Sequence, residues 1–336
     1  MHKRHFVRTA FALAAGLAVT LAAQAQQWKP TKPINLIVPW AAGGSTDQVT
    51  RVTAAELEKV LGQKIVVVNQ PGASGSIGTK GVWDAPHDGY TWAAGAAQDL
   101  GVYQALGMLD VPAKDWNLFL SVANVPVVGV YAAGPYESMP QLLEAMKNKP
   151  GQVKVATGGV ASSSFNAIEL ITKAAGVTYR NVPYDGGNPA VIATVAGETD
   201  ATTQLAVEQA DHIRAKRLRP LAAVSDKALE LEGYGSIEPI TKTLPNIKVA
   251  TNYFGIFIPK GVPPEVIATI TKAWNENIKN SEALKKYAVS RGALFQPVAG
   301  EEAQKAAAPA IAANAWLMQD SGKTKVSPET LGIPRP

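Results

Sequence analysis

Three stretches of this 336-residue chain combine backbone freedom with hydrogen-bond donors, and each follows a strand pattern and opens a helix pattern. The first is Pro39-Trp40-Ala41-Ala42-Gly43-Gly44-Ser45-Thr46-Asp47. Its paired glycines let the backbone come close to a ligand. A helix start leaves N–H groups unpaired and carries partial positive charge, which suits a carboxylate or phosphate. Ser45 or Thr46 can cap that helix, so an ordinary capped turn is the plainer reading. The second, Asn69 to Lys80, narrowly misses two phosphate motifs. Five residues separate Gly72 from Gly78 where a P-loop has four, Thr79-Lys80 replaces Gly-Lys-Ser/Thr, and no G-x-G-x-x-G is present. A nucleotide enzyme is disfavoured, while a backbone nest for a small anion stays open. The third is Thr157-Gly158-Gly159-Val160-Ala161-Ser162-Ser163-Ser164. Together the three point to a cleft that wraps a small anion with neutral donors.

Activated groups are scarce. The chain has no cysteine, which excludes disulfides, thiolate zinc sites, iron–sulfur clusters and a cysteine nucleophile. Asp47 reads first as a helix-dipole carboxylate and second as a ligand contact, with Arg51 placed to pair with it at i, i+4. Arg180 is a surface residue or a partner for a second ligand carboxylate. His87 falls in a Pro-His-Asp-Gly turn and His212 in a polar helical stretch. An exported hydrolase built on a third-loop serine and His212 is the enzyme alternative, but no G-x-S-x-G elbow supports it. No H-E-x-x-H or EF-hand loop occurs. The expectation is a binding protein with no catalytic residue, no metal and no cofactor.

The elements that must position these loops alternate. Ile34–Val38 is a strand, about 46–61 a helix, Lys64–Asn69 a strand whose apolar run suggests a sheet covered on both faces, 76–83 a short helix and 91–95 a strand. A second unit follows: strands near 125–132, 153–157, 179–184, 201–206 and 218–224, with helices at 139–148, before Gly176 and from Asn188. A strand at 252–258 and a helix from about Glu265 close the chain. This order argues for two α/β units with mostly parallel sheets. The tail completes the first unit, so the chain crosses twice, near 120–130 and 245–256. Ligands of such proteins bind beside strand carboxyl ends, in the cleft.

Composition fits: 46% hydrophobic and 18% charged, enough apolar residues for a core. Residues 1–25 read as a signal peptide, with Lys3, Arg4 and Arg8 before an apolar run and Ala23-Gln24-Ala25 as the cleavage pattern. Cleavage after Ala25 removes three positive charges, so the net charge drops from +5 to 5 − 3 = +2. No basic run suggests nucleic acid. The expected location is an exported compartment, and the expected state a monomer.

The motifs resemble those of the Bug receptors, the periplasmic solute-binding proteins of tripartite tricarboxylate transporters. Pro39-Trp40-x-x-Gly43-Gly44-x-x-Asp47-x-x-x-Arg51 is similar to their first signature and Asn69-x-x-Gly72-Ala73-x-Gly75-x-x-Gly78 to their second. Val182-Pro183-Tyr184-x-Gly186-x-x-Pro189-Ala190, then Gly197-x-x-Asp200, resembles their third. Tyr253-x-Gly255 with Pro259-x-Gly261-x-Pro263 looks like their return strand and last helices. The resemblance implies a two-domain, periplasmic-binding-protein-like (type II) α/β fold, with domain 1 at 26–125 and 249–336 and domain 2 at 126–248. It implies a receptor that captures a small di- or tricarboxylate, or an aromatic dicarboxylate of terephthalate type. Delivery would be to a large and a small membrane permease subunit; an adaptor role toward a sensor kinase is the alternative.

Carried onto this chain, one ligand carboxylate meets Trp40, Ala41, Ala42, Gly43, Gly44, Ser45, Thr46 and Asp47, with Gly72, Ala73 and Ser74. The other end meets Thr157, Ser162, Ser163, Ser164, Tyr184, Gly186 and Asp200, the last equally readable as a structural cap. Phe165 stands where the family often has His, and Trp40 with Phe165 would face an aromatic ring. Ala96-Ala97-Gln98-Asp99 replaces a usual Gly/Ser/Thr-rich loop.

Overall fold

The computed structural model describes residues 28–336; the expected signal peptide lies outside the described residues. Strand β1 (Ile34–Val38) is the axis of the first sheet. Helix α1 (Ser45–Leu61) returns the chain to β2 (Ile65–Asn69), and α2 (Ser76–Trp83) leads to β3 (Thr91–Ala96). Because β1 pairs in parallel with β2 on one side and β3 on the other, successive crossovers leave β1 in opposite directions. That reversal opens a crevice at the carboxyl ends of the strands. Helix α3 (Ala97–Ala105) then passes to β4 (Trp116–Asn124).

The chain next enters a second sheet. It contains β5 (Val127–Tyr131), α4 (Met139–Asn148), β6 (Lys154–Thr157), α5 (Ser163–Ala175), β7 (Arg180–Pro183), α6 (Gly187–Val195), β8 (Ala201–Thr202), α7 (Ala206–Arg214) and β9 (Leu218–Ala223). The order is β7-β6-β8-β5-β9, so β6, like β1, is flanked by parallel strands on both sides. A hairpin of β10 (Leu229–Leu231) and β11 (Gly235–Ile237) follows. Finally β12 (Asn252–Pro259), α8 (Pro264–Glu276), α9 (Glu282–Arg291), β13 (Ala293–Ala299) and α10 (Gly300–Asp320) rejoin the first lobe. Its sheet order is β13-β4-β12-β3-β1-β2.

The two-lobe α/β fold matches the expectation, but the sheets are mixed instead of mostly parallel. The return strand β12 lies antiparallel between β3 and β4, β13 runs antiparallel to β4, and β5 runs antiparallel to both its neighbours. Of these, β5 and β12 are the strands at the two crossings; each enters from the other lobe and so runs against its neighbours. β2 is also corrected: it is the sheet edge, with Val66 39% exposed, so its apolar run is not covered on both faces. The strand expected at 201–206 stops at Thr202, because Thr203 Oγ1 donates to the Ser164 carbonyl and α7 starts at Ala206.

Two apolar clusters cover opposite faces of the first sheet. One packs Val49 and Leu57 of α1 with Ile270 and Trp274 of α8; the other packs Leu100 and Tyr103 of α3 with Ala307 and Ile311 of α10. Each fully buried Leu or Ile contributes about 1.5–3 kcal/mol, which fixes the helices that aim the loops. Further clusters fill the second lobe around Leu142 and Ile168 and around Val191 and Ile213.

Candidate functional site

The three glycine- and hydroxyl-bearing loops leave the carboxyl ends of β1, β2 and β6, and they meet. Ala41 N–H donates to the Asp185 carbonyl of the other lobe at 3.3 Å. A carbon added at Gly159 would lie 2.4 Å from Ser74 Oγ, so the second and third loops touch. Between the lobes lies a small cavity of about 30 Å³. Trp40, Gly44, Ser45, Thr46 and Asp99 line it from the first lobe, and Gly158, Ser162, Ser163, Ser164, Gly186, Gln204 and Glu208 from the second. Leu205 and Gly187 complete the second-lobe wall, with Phe254 of β12 beside them.

The first loop is held rigid by Asp47. Its Oδ2 accepts from Gly43 N–H (3.0 Å), its Oδ1 from Asn69 Nδ2 (3.0 Å), and Arg51 closes the i, i+4 ion pair at 2.8 Å. Burial alone would raise this carboxyl. Arg51, the Gly43 N–H and Asn69 outweigh it and hold Asp47 below its usual range. Asp47 therefore braces the loop and does not line the cavity. Gly75 positions the second loop. Its φ of +91° suits glycine, and an added carbon would lie 2.4 Å from Tyr103 Oη and 2.9 Å from Trp40 Cζ2. Tyr103 Oη in turn donates to the Ser74 carbonyl at 3.0 Å.

The third loop is a hydroxyl network. Ser162 Oγ donates to the Gly159 carbonyl (2.7 Å) and caps α5 by accepting from Phe165 N–H (3.2 Å). Ser164 Oγ accepts from Gly158 N–H (2.9 Å). Ser163 Oγ accepts from Gln98 Nε2 (3.0 Å) and Asn252 Nδ2 (2.9 Å) of the first lobe. None of these hydroxyls is paired with a histidine. His212 Nδ1 is buried without a hydrogen-bond partner, and His87 Nε2 bonds the Trp83 carbonyl. Among the described residues no acid and histidine cluster could hold a metal.

Several expected site residues lie elsewhere. Gly43 and Ala42 are exposed, and neither they nor Gly72, Ala73 and Ser74 line the cavity. Thr157 Oγ1 is engaged with Asn181 Oδ1 at 2.7 Å. Tyr184 N–H bonds the Thr157 carbonyl, extending the β6–β7 pairing by one residue. Asp200 Oδ2 accepts from Lys154 N–H at 2.8 Å, so it braces the start of β6 and does not line the cavity, as the cap reading has it. Phe165 is 2% exposed and packs in the core with Leu317 and Ala161; the ring that lines the cavity beside Trp40 is Phe254. Arg180 is exposed.

Two acids at the cavity were not expected from the sequence. Glu208 sits in the first turn of α7, where its Oε2 accepts from Leu205 N–H at 3.2 Å. Its Oε1 reaches across the cleft to accept from Ser45 N–H, the first helical donor of α1, at 2.8 Å. With its amide nitrogen toward Glu208, Gln204 adds a donor at 3.2 Å. The α1 donor expected to await a ligand carboxylate is thus occupied by the protein's own. Burial pushes the Glu208 carboxyl up, against the lowering effect of Ser45 and Leu205. Asp99, 3% exposed, is pushed well above the usual range by burial, with only Gln98 opposing. A Glu inside Leu205-Ala206-Val207-Glu208, at a strand-to-helix junction, is the signal that could have found the first. Asp99 stood out only as a departure from the resembled pattern.

Residues 49–312 match the model of the tripartite tricarboxylate transporter family receptor. The chain belongs to this family. Bordetella pertussis BugT is 29% identical over 290 residues, covering 83% of this chain and 85% of BugT. The structure of the periplasmic binding protein BugD superposes with a TM-score of 0.80 at 22% identity, covering 88% of this chain and 99% of BugD. A Rhodopseudomonas palustris protein solved with adipate gives 0.77 at 24% identity, covering 87% and 98%. The receptor thus has the fold and family of periplasmic solute-binding proteins. Among the described residues, none of its helices is long and apolar enough to cross a membrane.

Proposed function

We propose that this receptor is exported, with cleavage after Ala25, and captures one small carboxylate between lobes hinged near 125/126 and 248/249. It then hands the ligand, as a monomer, to a large and a small permease subunit. The supporting observation is that hydroxyl- and amide-bearing loops of both lobes line a single cavity. With the Ser45 N–H taken by Glu208 and the Ser162 hydroxyl donating to Gly159, the ligand carboxylate meets the remaining neutral donors: Thr46 and the Ser163 hydroxyl. Adipate in a protein of the same fold supports a ligand of this size class. Ligand contacts from both lobes favour the closed arrangement, as a receptor requires. The same donors without a paired base favour binding over turnover.

The test is thermal shift and Trp fluorescence against aliphatic and aromatic mono-, di- and tricarboxylates. Trp40 lines the cavity and reports occupancy. A ligand at 100 times its Kd stabilises the fold by about 2.7 kcal/mol. A panel in which no acid shifts the melting temperature or the fluorescence refutes the proposal.

A further inference from the structure

Helix α5 carries the third loop at its start, and it is fastened to both lobes. The strands on either side of it in the chain, β6 and β7, place it in the second lobe. Yet Phe165, in its first turn, is buried in the first-lobe cluster with Leu317 and Met318 of α10, and Leu170 packs against the clusters of both lobes. Charged side chains continue this contact. Lys173 Nζ meets Asp320 Oδ2 at 2.7 Å, and Lys323 Nζ meets Glu169 Oε2 at 2.8 Å. The pairs are crossed, so both form only when α5 and the end of α10 run antiparallel.

Glu169 and Lys173 are four residues apart, in the order that favours pairing within one helix. Both reach out of the helix to the other lobe instead. Among the acids paired across the lobes, Glu169 is the most shielded: its side chain is 11% exposed, against 27% for Asp320 and 63% for Asp211, the partner of Arg291. Tyr179 Oη donates to its other oxygen at 2.8 Å and holds it in place. Shielding from water and salt strengthens such a pair.

The opposing side is built as one piece. Beyond α10 the chain folds back, and the N–H groups of Lys325 and Val326 donate to the Ala105 carbonyl of α3 at 2.8 and 3.1 Å. Trp316 Nε1 donates to the Ile333 carbonyl at 3.0 Å. Arg335 lies over the Trp316 ring and pairs with Asp320 Oδ1 at 2.9 Å. Segment 320–335 is therefore anchored on the first lobe while it presents an acid and a base to the second. None of its residues lines the cavity.

We propose that residues 320–335 are a strap that clasps α5 and sets how readily the lobes part. Parting the lobes pulls α5 off the strap and breaks both ion pairs, so the strap favours the closed arrangement without touching a ligand. This rests on the two-lobe hinge of the reading above and not on the identity of the ligand.

The experiment is amide hydrogen exchange of the ligand-free receptor, followed by NMR. Ser45 N–H bonds to Glu208 and Ala41 N–H to the Asp185 carbonyl, both across the cleft, so these amides exchange when the lobes part. Leu36 in β1 and Val155 in β6 each lie within one lobe and are the references. Lys173→Met and Lys323→Met should each speed exchange at Ser45 and Ala41 by about two- to fivefold, the contribution of a partly shielded ion pair, and leave the references unchanged. Glu169→Lys should speed it further, and adding Lys323→Glu to that variant should bring the rates back to the wild-type values. Wild-type rates at Ser45 and Ala41 in both methionine variants overturn the proposal. Equal acceleration of Leu36 and Val155 also overturns it, because that reports a general loss of stability. So does a charge exchange that restores nothing. With no ligand present, these outcomes leave the carboxylate reading standing, and a panel in which no acid binds leaves the strap standing.

Discussion

Gly75→Ala tests whether the second loop is held against Trp40 by close packing. The residue has φ +91°, and an added Cβ would lie 2.4 Å from Tyr103 Oη and 2.9 Å from Trp40 Cζ2. Neither neighbour is a flexible chain end: both are rings, one 1% and the other 9% exposed. The left-handed backbone costs an alanine about 1–2 kcal/mol. Forcing a methyl into a packed site costs about 1–3 kcal/mol, and losing the Tyr103–Ser74 hydrogen bond about 0.5–1.5 kcal/mol. The expected loss is about 3–6 kcal/mol, a fall in Tm on the order of 10 °C for a chain of this size. Gly151→Ala is the control. Gly151 has φ +69° with nothing within 4 Å of an added carbon, so it reports the backbone cost alone. Urea and thermal unfolding of both variants separate the contributions. Equal losses in the two would refute the packing argument.

Further expectations concern the acids and the first loop. Because burial raises Asp99, the folded protein holds that proton more tightly than the unfolded chain; the stability it contributes is complete below about pH 4 and is lost as pH rises through the folded-state value. Asp99→Asn should therefore gain on wild type as pH rises through this window, by about 1.4 kcal/mol for each tenfold fall in proton concentration, and parallel calorimetric curves from pH 4 to 8 would contradict this. Asp47 is lowered, so its contribution is present above about pH 4 and lost as pH falls through its folded-state value. Asp47→Ala should cost about 1–3 kcal/mol at pH 7 and progressively less in acid, measured by urea unfolding; a cost constant with pH speaks against the bracing role. Gly44→Val directs its branches at Glu208 Oε1 and the Ala41 carbonyl, 3.4 and 3.3 Å from an added Cβ. It should lose at least tenfold in ligand affinity with an unchanged far-UV spectrum, and retained affinity would remove the first loop from the site.

The loops were legible because their chemistry is local. Gly43-Gly44-Ser45-Thr46 and Ser162-Ser163-Ser164 stand at strand-to-helix junctions, and parallel α/β pairing carries such junctions to one edge of each sheet. The Asp47–Arg51 pair was legible for the same reason, being one helical turn apart. Helix α3 was not: all nine of its residues are buried against neighbours that include α10, so it shows no amphipathic period to read. Strand β4 escaped because its partners β12 and β13 come from the far end of the chain. Phe165 and Phe254 could not be told apart from type alone; only tertiary packing sends one to the core and the other to the cavity. Glu208 was hidden by distance, since its partner Ser45 is 163 residues away.

Capture between two lobes is best checked by a crystal structure of the receptor with whichever acid gives the largest thermal shift. Ligand density is expected between the lobes, with its carboxylate on the Thr46 and Ser163 donors and Trp40 alongside. Density outside that cavity, or a ligand touching one lobe alone, would contradict two-lobe capture.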